Sequence, residues 1–345
     1  QIQANTIEKI EIITNPSAKY DAEGITGIIN IITKKQKFKG FSGMVNSSYS
    51  SNNACSGDFI INYKNEKINF FVGADYKKLV NSVVFDFSRT YTIADTIFSR
   101  KEFIEQTGIR PNPNVKFGFD YQIKPNTSIS INNSSGTASN LDKEKSVHNK
   151  FWSDHHSEYA YRANKEEANV KGFFSSPSIS FLHRFNEKGT QLSSDVSFTH
   201  VDGNYSFRSN EFIANKNYQS IDSMPERINS SNNYLRNFLV AKADYVWAIN
   251  DKLKLETGIE FAGNQRDVAL DITNFDYNTN QWLPNSLYSN NYVFRQSIYA
   301  GYSQWSGQLA SFEYQIGIRG EYTDRILEQK QKNEDYIYQK MHFFP

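Results

Sequence analysis

Residues 7–35 read IEKIEIITNPSAKYDAEGITGIINIITKK, and the rest of the chain is read outward from this stretch. It opens on Ile7, Ile10, Ile12 and Ile13, then breaks at Asn15-Pro16. The polar string Tyr20-Asp21-Ala22-Glu23-Gly24 follows, and Gly27 leads into Ile28-Ile29-Asn30-Ile31-Ile32 before Lys34-Lys35. β-Branched runs bounded by Pro, Asn, Asp and Gly predict a strand, a glycine-containing turn and a second strand. Gly24 and Gly27 are the positions able to take a positive φ or to let two backbones approach closely. Nothing in the stretch has the character of a catalytic group.

From Phe38 onward the hydrophobic period becomes two. Val115, Phe117, Phe119, Tyr121 and Ile123 alternate with Lys116, Gly118, Asp120 and Gln122. Leu253, Leu255, Thr257, Ile259 and Phe261 alternate with Lys254, Glu256, Gly258 and Glu260; Phe312, Tyr314, Ile316 and Ile318 alternate with Glu313, Gln315 and Arg319. This is the signature of strands with one apolar and one polar face. About eleven strands and the start of another are expected, several of them longer than the roughly 9 to 11 residues that cross a bilayer.

The connections carry as much information. Tight turns are expected at Lys64–Lys67, Lys124–Asn126, Asn186–Gly189, Asn250–Lys252 and Ser306–Gln308. Between them lie long polar segments, Leu79–Asn112, Thr137–Lys171, Asn204–Asn233, Thr273–Asn291 and Ile326–Asp335, which read as loops; Ser50–Ala54 is the short exception. Short turns at one rim and long connections at the other are the pattern of an outer-membrane barrel. Trp247, Tyr245, Trp305 and Tyr121 stand near tight turns, where an interfacial aromatic girdle belongs.

Composition agrees. The chain has 345 residues, a net charge of +1, 15% aromatic residues and a single cysteine, Cys55. Balanced charge gives no electrostatic case for nucleic acid. No apolar run reaches the roughly 20 residues of a membrane helix, which leaves a strand-built membrane protein open. P-loop, dinucleotide, CxxC and HExxH motifs are absent from the sequence.

The opening stretch resembles the C-terminal end of the plug domain of TonB-dependent outer-membrane receptors, in the form found in Bacteroidetes-type proteins. That family pattern is I-E-x-I-E-V-x-x-x-P-x-x-x-Y-x-x-x-G-x-x-G-x-I-N-I-x-T-K. Ile7-Glu8, Ile10-Glu11, Pro16, Tyr20, Gly24, Gly27, Ile29-Asn30-Ile31 and Thr33-Lys34 fall on it. The resemblance implies an all-β chain: residues 1–37 as the end of a plug and its linker, and residues 38–345 as the first half of a large antiparallel transmembrane barrel, 22-stranded in the whole protein. It also implies a chain that begins within the plug and ends within the wall. The implied function is TonB-dependent import of a scarce or large nutrient across the outer membrane of a Gram-negative cell. The implied partners are TonB, acting through an upstream segment, outer-membrane lipid and a siderophore, glycan or peptide. Pro16, Tyr20, Gly24, Gly27 and Asn30 are expected to be structural residues of the plug, and no cofactor or enzymatic activity is expected. The alternatives are a complete small outer-membrane barrel, acting as pore or enzyme, and a soluble β-sandwich that binds carbohydrate.

Other constellations weigh less. His148 to Tyr161 concentrates half of the histidines, and Asp154, His155, His156 and Glu158 lack a recognised metal-ligand spacing. Trp152, Tyr159 and Tyr161 are candidate contacts for a ligand arriving at an outer loop. His183 and His200 fall among apolar neighbours on strands, with no Gly-x-Ser-x-Gly elbow to accompany them. Lys34, Lys35, Lys37 and Lys39 read as a solvated linker.

Overall fold

The computed structural model describes residues 7–13, 28–33, 39–153, 156–309, 312–330 and 334–344. Two sheets are present among them. The first is the antiparallel pair β1 (Ile7–Ile13) and β2 (Ile28–Thr33), with Ile10 opposite Ile31 and Ile12 opposite Ile29. Glu11 and Asn30 meet on its other face, the Asn30 amide donating to the carboxylate at 2.8 Å. The two strands of the reading are found and pair with each other; the segment between them, with Pro16, Tyr20, Gly24 and Gly27, lies outside the described residues. Ile10, Ile12 and Ile29 remain more than half exposed. An isolated hairpin of this kind is marginal by itself and calls for a further layer against its isoleucine face.

The second sheet is a wall. It runs through β3 (Gly40–Tyr49), β4 (Cys55–Lys64), β5 (Ile68–Ile93), β6 (Thr96–Lys124), β7 (Thr127–Ser153), β8 (His156–Ser175), β9 (Ser178–Arg184), β10 (Gln191–Ala214), β11 (Glu226–Asn250), β12 (Leu253–Asp276), β13 (Gln281–Pro284), β14 (Asn290–Leu309), β15 (Phe312–Gln329) and β16 (Glu334–Phe344). β8 and β9 both pair with β7 and β10 and act as one stave interrupted at Ser176-Pro177. Proline has no amide to donate there, so the ladder breaks locally. Counted this way the wall is an antiparallel meander of twelve staves in chain order, from β3 to β16. The expected eleven strands and the start of another are therefore found. β3 and β16 are its two edges, and the β3–β16 pairing that a closed small barrel needs is not among the described pairs.

Register sorts the side chains. Phe41, Tyr63, Phe70, Phe119, Ile131 and Ile179 lie on one face of successive staves, and the row continues through Val196, Ala241, Phe261, Tyr299 and Tyr322. Phe41, Phe70, Ile131, Ile179, Val196 and Tyr299 of this row are exposed and the others half-buried, with no second sheet packed on them among the described residues, which overturns the β-sandwich alternative. A belt of exposed aliphatic and aromatic side chains is what lipid covers. Trp247, Leu255, Trp305 and Ile316 form one cross-strand row near the tight turns, with Tyr245 and Tyr121 on the same face. Six residues further along the staves, the rings of Phe261, Tyr299 and Tyr322 follow one another at 5.1 and 6.3 Å. From Trp247 to Leu235, the last apolar side chain on this face of β11, a strand tilted by about 40° rises about 30 Å, the thickness of a bilayer's hydrocarbon core.

Lipid contact has a measurable consequence. Ile259 stands mid-belt on β12 and is 67% exposed. Ile259→Arg is expected to cost about 2–4 kcal/mol in urea-dependent folding of the full-length protein into vesicles. Ser197→Arg, on the opposite face of β10, is expected to cost well under half of that, and equal costs at the two sites would contradict the assignment of faces.

The tight turns fall where the sequence placed them, with one displacement. Ser306, Gly307 and Gln308 are still paired with β15, in a ladder that runs to the Leu309–Phe312 pair; residues 310 and 311 lie outside the described residues. The long polar segments, by contrast, are mostly not loops. β5 and β6 stay paired to Ile93 and Thr96 and reverse over Ala94-Asp95, whose φ values are +45° and +65°. Two successive positive φ angles give the hairpin turn whose twist matches that of the strands. β7 and β8 likewise remain paired to Ser153 and His156. Only 215–225 and the excursion containing β13, between Asp276 and Asn290, keep substantial non-ladder segments among the described residues. The staves simply continue past the lipid into water.

Candidate functional site

The face opposite the lipid belt is the wall's inner face, and on β11, β12, β14 and β15 it carries a charge network. Strand alternation places Lys242 and Asp244, then Lys254, Glu256, Gly258 and Glu260, then Tyr302 and Gln304, then Gln315, Arg319 and Glu321 on this side. Arg319 is the centre, with its side chain 3% exposed. Its Nε donates to Glu321 Oε1 at 2.6 Å and its Nη2 to Glu260 Oε2 at 3.2 Å. Glu260 takes a second cation, Lys242, at 3.1 Å. A guanidinium is suited to this place because its planar fork serves two carboxylates at once. Nη1 is buried and finds no acceptor among the described residues.

Beside it, the Tyr302 hydroxyl donates to Asp244 Oδ1 at 2.6 Å across the intervening stave. The residue between them in register is Gly258. A Cβ at that position would stand 2.5 Å from both Asp244 Oδ1 and Tyr302 Cε1. The tyrosine ring crosses β12 only because nothing projects from it there. A polar chain continues from Gln315 Nε2 to Gln304 Oε1 at 3.1 Å and from Gln304 Nε2 to Glu256 Oε2 at 3.2 Å, with Lys254 on the same carboxylate at 3.1 Å.

This arrangement holds fixed charge of both signs against an aqueous interior, which can orient polar solutes or receive a polar protein surface. His183 and His200 stand on the lipid-facing side. Their Nδ1 atoms lie 2.8 Å from Thr127 Oγ1 and 2.7 Å from Asn237 Oδ1.

The outer rim is ordered by side chains as much as by ladder. Inward-facing Lys145 pairs with Glu166 at 2.6 Å, Arg162 with Glu211 at 2.5 Å, and Arg100 with Glu102. The 215–225 segment folds over the outward face of β7 and β8, where Tyr218 stacks on His148 at 4.5 Å and meets the edge of Tyr161 at 5.6 Å. Burial pushes the Tyr218 phenol up. Trp152 is on the same outward side, with the Lys150 ammonium 5.6 Å from its ring. Tyr159, His156 and Glu158 belong to β8, but their side chains, like Asp154 and His155, lie outside the described residues.

Further round, Tyr277 donates to the Pro225 carbonyl at 2.8 Å, and the Arg227 guanidinium packs against the edge-to-face pair of Phe275 and Trp282, 4.3 and 5.2 Å from their ring centroids. The amide of Asn278, followed by Thr279, holds the Asp276 carboxyl below the usual carboxylate range. Its turn is thus secured above that range and loosens as pH falls through the depressed value. At the opposite rim, Lys39 grips Glu66 at 2.6 Å and ties the start of the wall to its first tight turn.

Sequence reading singled out Trp152 and Tyr161 and passed over the Arg319 and Tyr302 clusters. The available signal was a glycine flanked on one polar face by acidic residues, at Glu256, Gly258 and Glu260.

Comparison with known proteins follows this geometry. No curated protein matches the sequence. Among solved structures, the chain resembles the CymD monoaromatic hydrocarbon channel at 9% identity and a TM-score of 0.30, over 88% of this chain and 87% of that one. It resembles the ferric yersiniabactin uptake receptor FyuA from Yersinia pestis at 11% identity and a TM-score of 0.34, over 92% of this chain and 56% of that one. The outer membrane protease OmpT from Escherichia coli gives 8% identity and a TM-score of 0.24, over 81% and 93%. Residues 183–345 match the model of the outer membrane protein beta-barrel family. With that match beside the belted antiparallel wall, the chain is an all-β protein of the outer membrane.

Proposed function

We propose that the chain is the end of a plug and the adjoining barrel wall of a TonB-dependent receptor, importing a nutrient such as a siderophore, glycan or peptide. The observation that carries this reading is the stretch from Ile7 to Lys35. Its two strands pair through Ile10–Ile31 and Ile12–Ile29 and leave an isoleucine face to be covered, as the last element of a larger plug would. The inner-face charges of β11 to β15 supply a polar surface for such a plug or for a passing solute. Trp152, Tyr159 and Tyr161 are proposed as first contacts for a ligand at the rim. TonB would act through a segment upstream of these strands.

Conductance tests the plug, and uptake tests the coupling. In planar bilayers with potassium chloride, the full-length protein is expected to stay closed, and deletion of residues 7–37 to open a steady channel. Cells given a panel of ferric siderophores, maltooligosaccharides and oligopeptides are expected to take up one class only while TonB is functional. An intact protein that conducts like the deletion variant, with uptake indifferent to TonB, would establish a passive pore instead.

A further inference from the structure

Above the lipid belt the outward face of the wall bears cations that the wall itself does not match. Lys165, Asn210 and Arg227 form one cross-strand row on β8, β10 and β11, and Glu167, Arg208 and Asn229 form the next. Together with Trp282 these residues line a hollow of about 460 Å³. Lys171 lies on the same face, closer to the belt. Lys165, Lys171, Arg208 and Arg227 make no ion pair with another described residue, whereas inward-facing Arg100, Lys145 and Arg162 on neighbouring staves each have a carboxylate. The acidic groups nearby are Glu167 and, on the adjoining surface, Asp271; Asp202 and Asp267 sit lower, in the row of Phe173 and Leu235.

The hollow is also built. Arg227 packs against the edge-to-face pair of Phe275 and Trp282, whose centroids are 5.3 Å apart, and the Tyr277–Pro225 hydrogen bond fixes the two loops that frame it. A guanidinium held against aromatic rings loses little freedom when it takes a phosphate or carboxylate, and half-buried Trp282, in the lining of the hollow, supplies an aromatic surface for a sugar ring.

Height selects the occupant. From the Phe173 row, where apolar side chains end, to Lys165 is eight residues, or about 20 Å of rise on a strand tilted by about 40°. A phosphate at the bilayer surface does not reach that far, whereas an oligosaccharide extending from a lipid does. We propose that this face binds the anionic oligosaccharide headgroup of an outer-leaflet glycolipid, with Arg208, Arg227 and Lys165 taking its phosphates or sugar carboxylates and Trp282 stacking on a sugar. The surface continues the lipid-facing belt and does not depend on the proposed import function.

The test uses the full-length protein in detergent, with three probes measured by native mass spectrometry: lipopolysaccharide carrying its core oligosaccharide, lipid A alone, and the core oligosaccharide released from lipid. Core-bearing lipopolysaccharide is expected to bind at least roughly tenfold more tightly than lipid A, with the difference shrinking as salt rises. Arg208→Gln with Arg227→Gln is expected to abolish that difference and leave lipid A binding unchanged. Lys165→Gln with Arg208→Gln leaves Arg227 and its contacts with Phe275 and Trp282 intact and is expected to lose most of it, so loop collapse alone would not explain the result. Equal binding of core-bearing lipopolysaccharide and lipid A overturns the proposal. So does an unchanged preference in both double variants, or released oligosaccharide binding as tightly as the intact glycolipid, which would mark a site for soluble acidic glycans.

Discussion

Arg319→Met is expected to destabilise the wall by about 3–5 kcal/mol, the largest single-residue effect on its inner face. The reason is the company the guanidinium keeps. Glu321 and Glu260 both receive it, and all three side chains are substantially withdrawn from solvent. Removing the cation leaves two carboxylates facing each other with only Lys242, at 3.1 Å from Glu260, to offset them. Met fills similar volume, so the loss is electrostatic rather than a cavity. Urea-dependent folding into vesicles, or heat-modified gel mobility of the full-length protein, reads the effect. Adding Glu260→Gln and Glu321→Gln to Arg319→Met is expected to recover most of it, because a buried triad replaced as a whole costs far less than one robbed of a member. If Arg319→Met alone unfolds at the parent's urea concentration, the network is not a source of stability.

The second large effect has an unusual sign. Glycine inside a strand ordinarily weakens it, so Gly→Ala at a neutral strand position gains about 0.5–1 kcal/mol. Gly258→Ala is expected to lose about 2–4 kcal/mol, because the new methyl group occupies the path of the Tyr302 ring toward Asp244. The same folding assay applies. In a Tyr302→Ala background the clash is gone, and Gly258→Ala is expected to become neutral or mildly stabilising. A similar penalty in both backgrounds would mean that the glycine serves the backbone and not the tyrosine.

The sequence displays the wall wherever one face meets lipid and the other meets water. Phe117, Phe119 and Tyr121 against Lys116, Gly118 and Asp120 could hardly be arranged otherwise, and the tight turns follow from where such runs stop. The same reasoning fails at 79–112. Beyond the bilayer both faces of β5 and β6 are solvated, the period of two fades, and a continuous ladder reads as a polar loop. Its turn was equally hidden, since Ala94-Asp95 carries none of the Asn-Gly or Gly-Gly chemistry that marks a two-residue hairpin. The inner network was illegible for another reason. Arg319 and Glu260 lie 59 residues apart, and only the register of two intervening pairings brings them together. Trp152 and Tyr161 were visible as aromatics, but the partner that defines the surroundings of Tyr161 is Tyr218, delivered by a segment from the next hairpin.

The meander order has a consequence for how such a wall comes into being. Every stave adjoins the one synthesised just before it, and the β5–β6 reversal takes only two residues, so most pairings close over short stretches of chain. Chain entropy therefore charges little for each added hairpin. Growth proceeds from one advancing edge, with earlier pairs already zipped while later sequence is still arriving. In a closed barrel the free edge of β3 is the exception, because its remaining partner comes from the far end of the sequence. Sealing is then a single late event, separate in time from the local zippering of the staves.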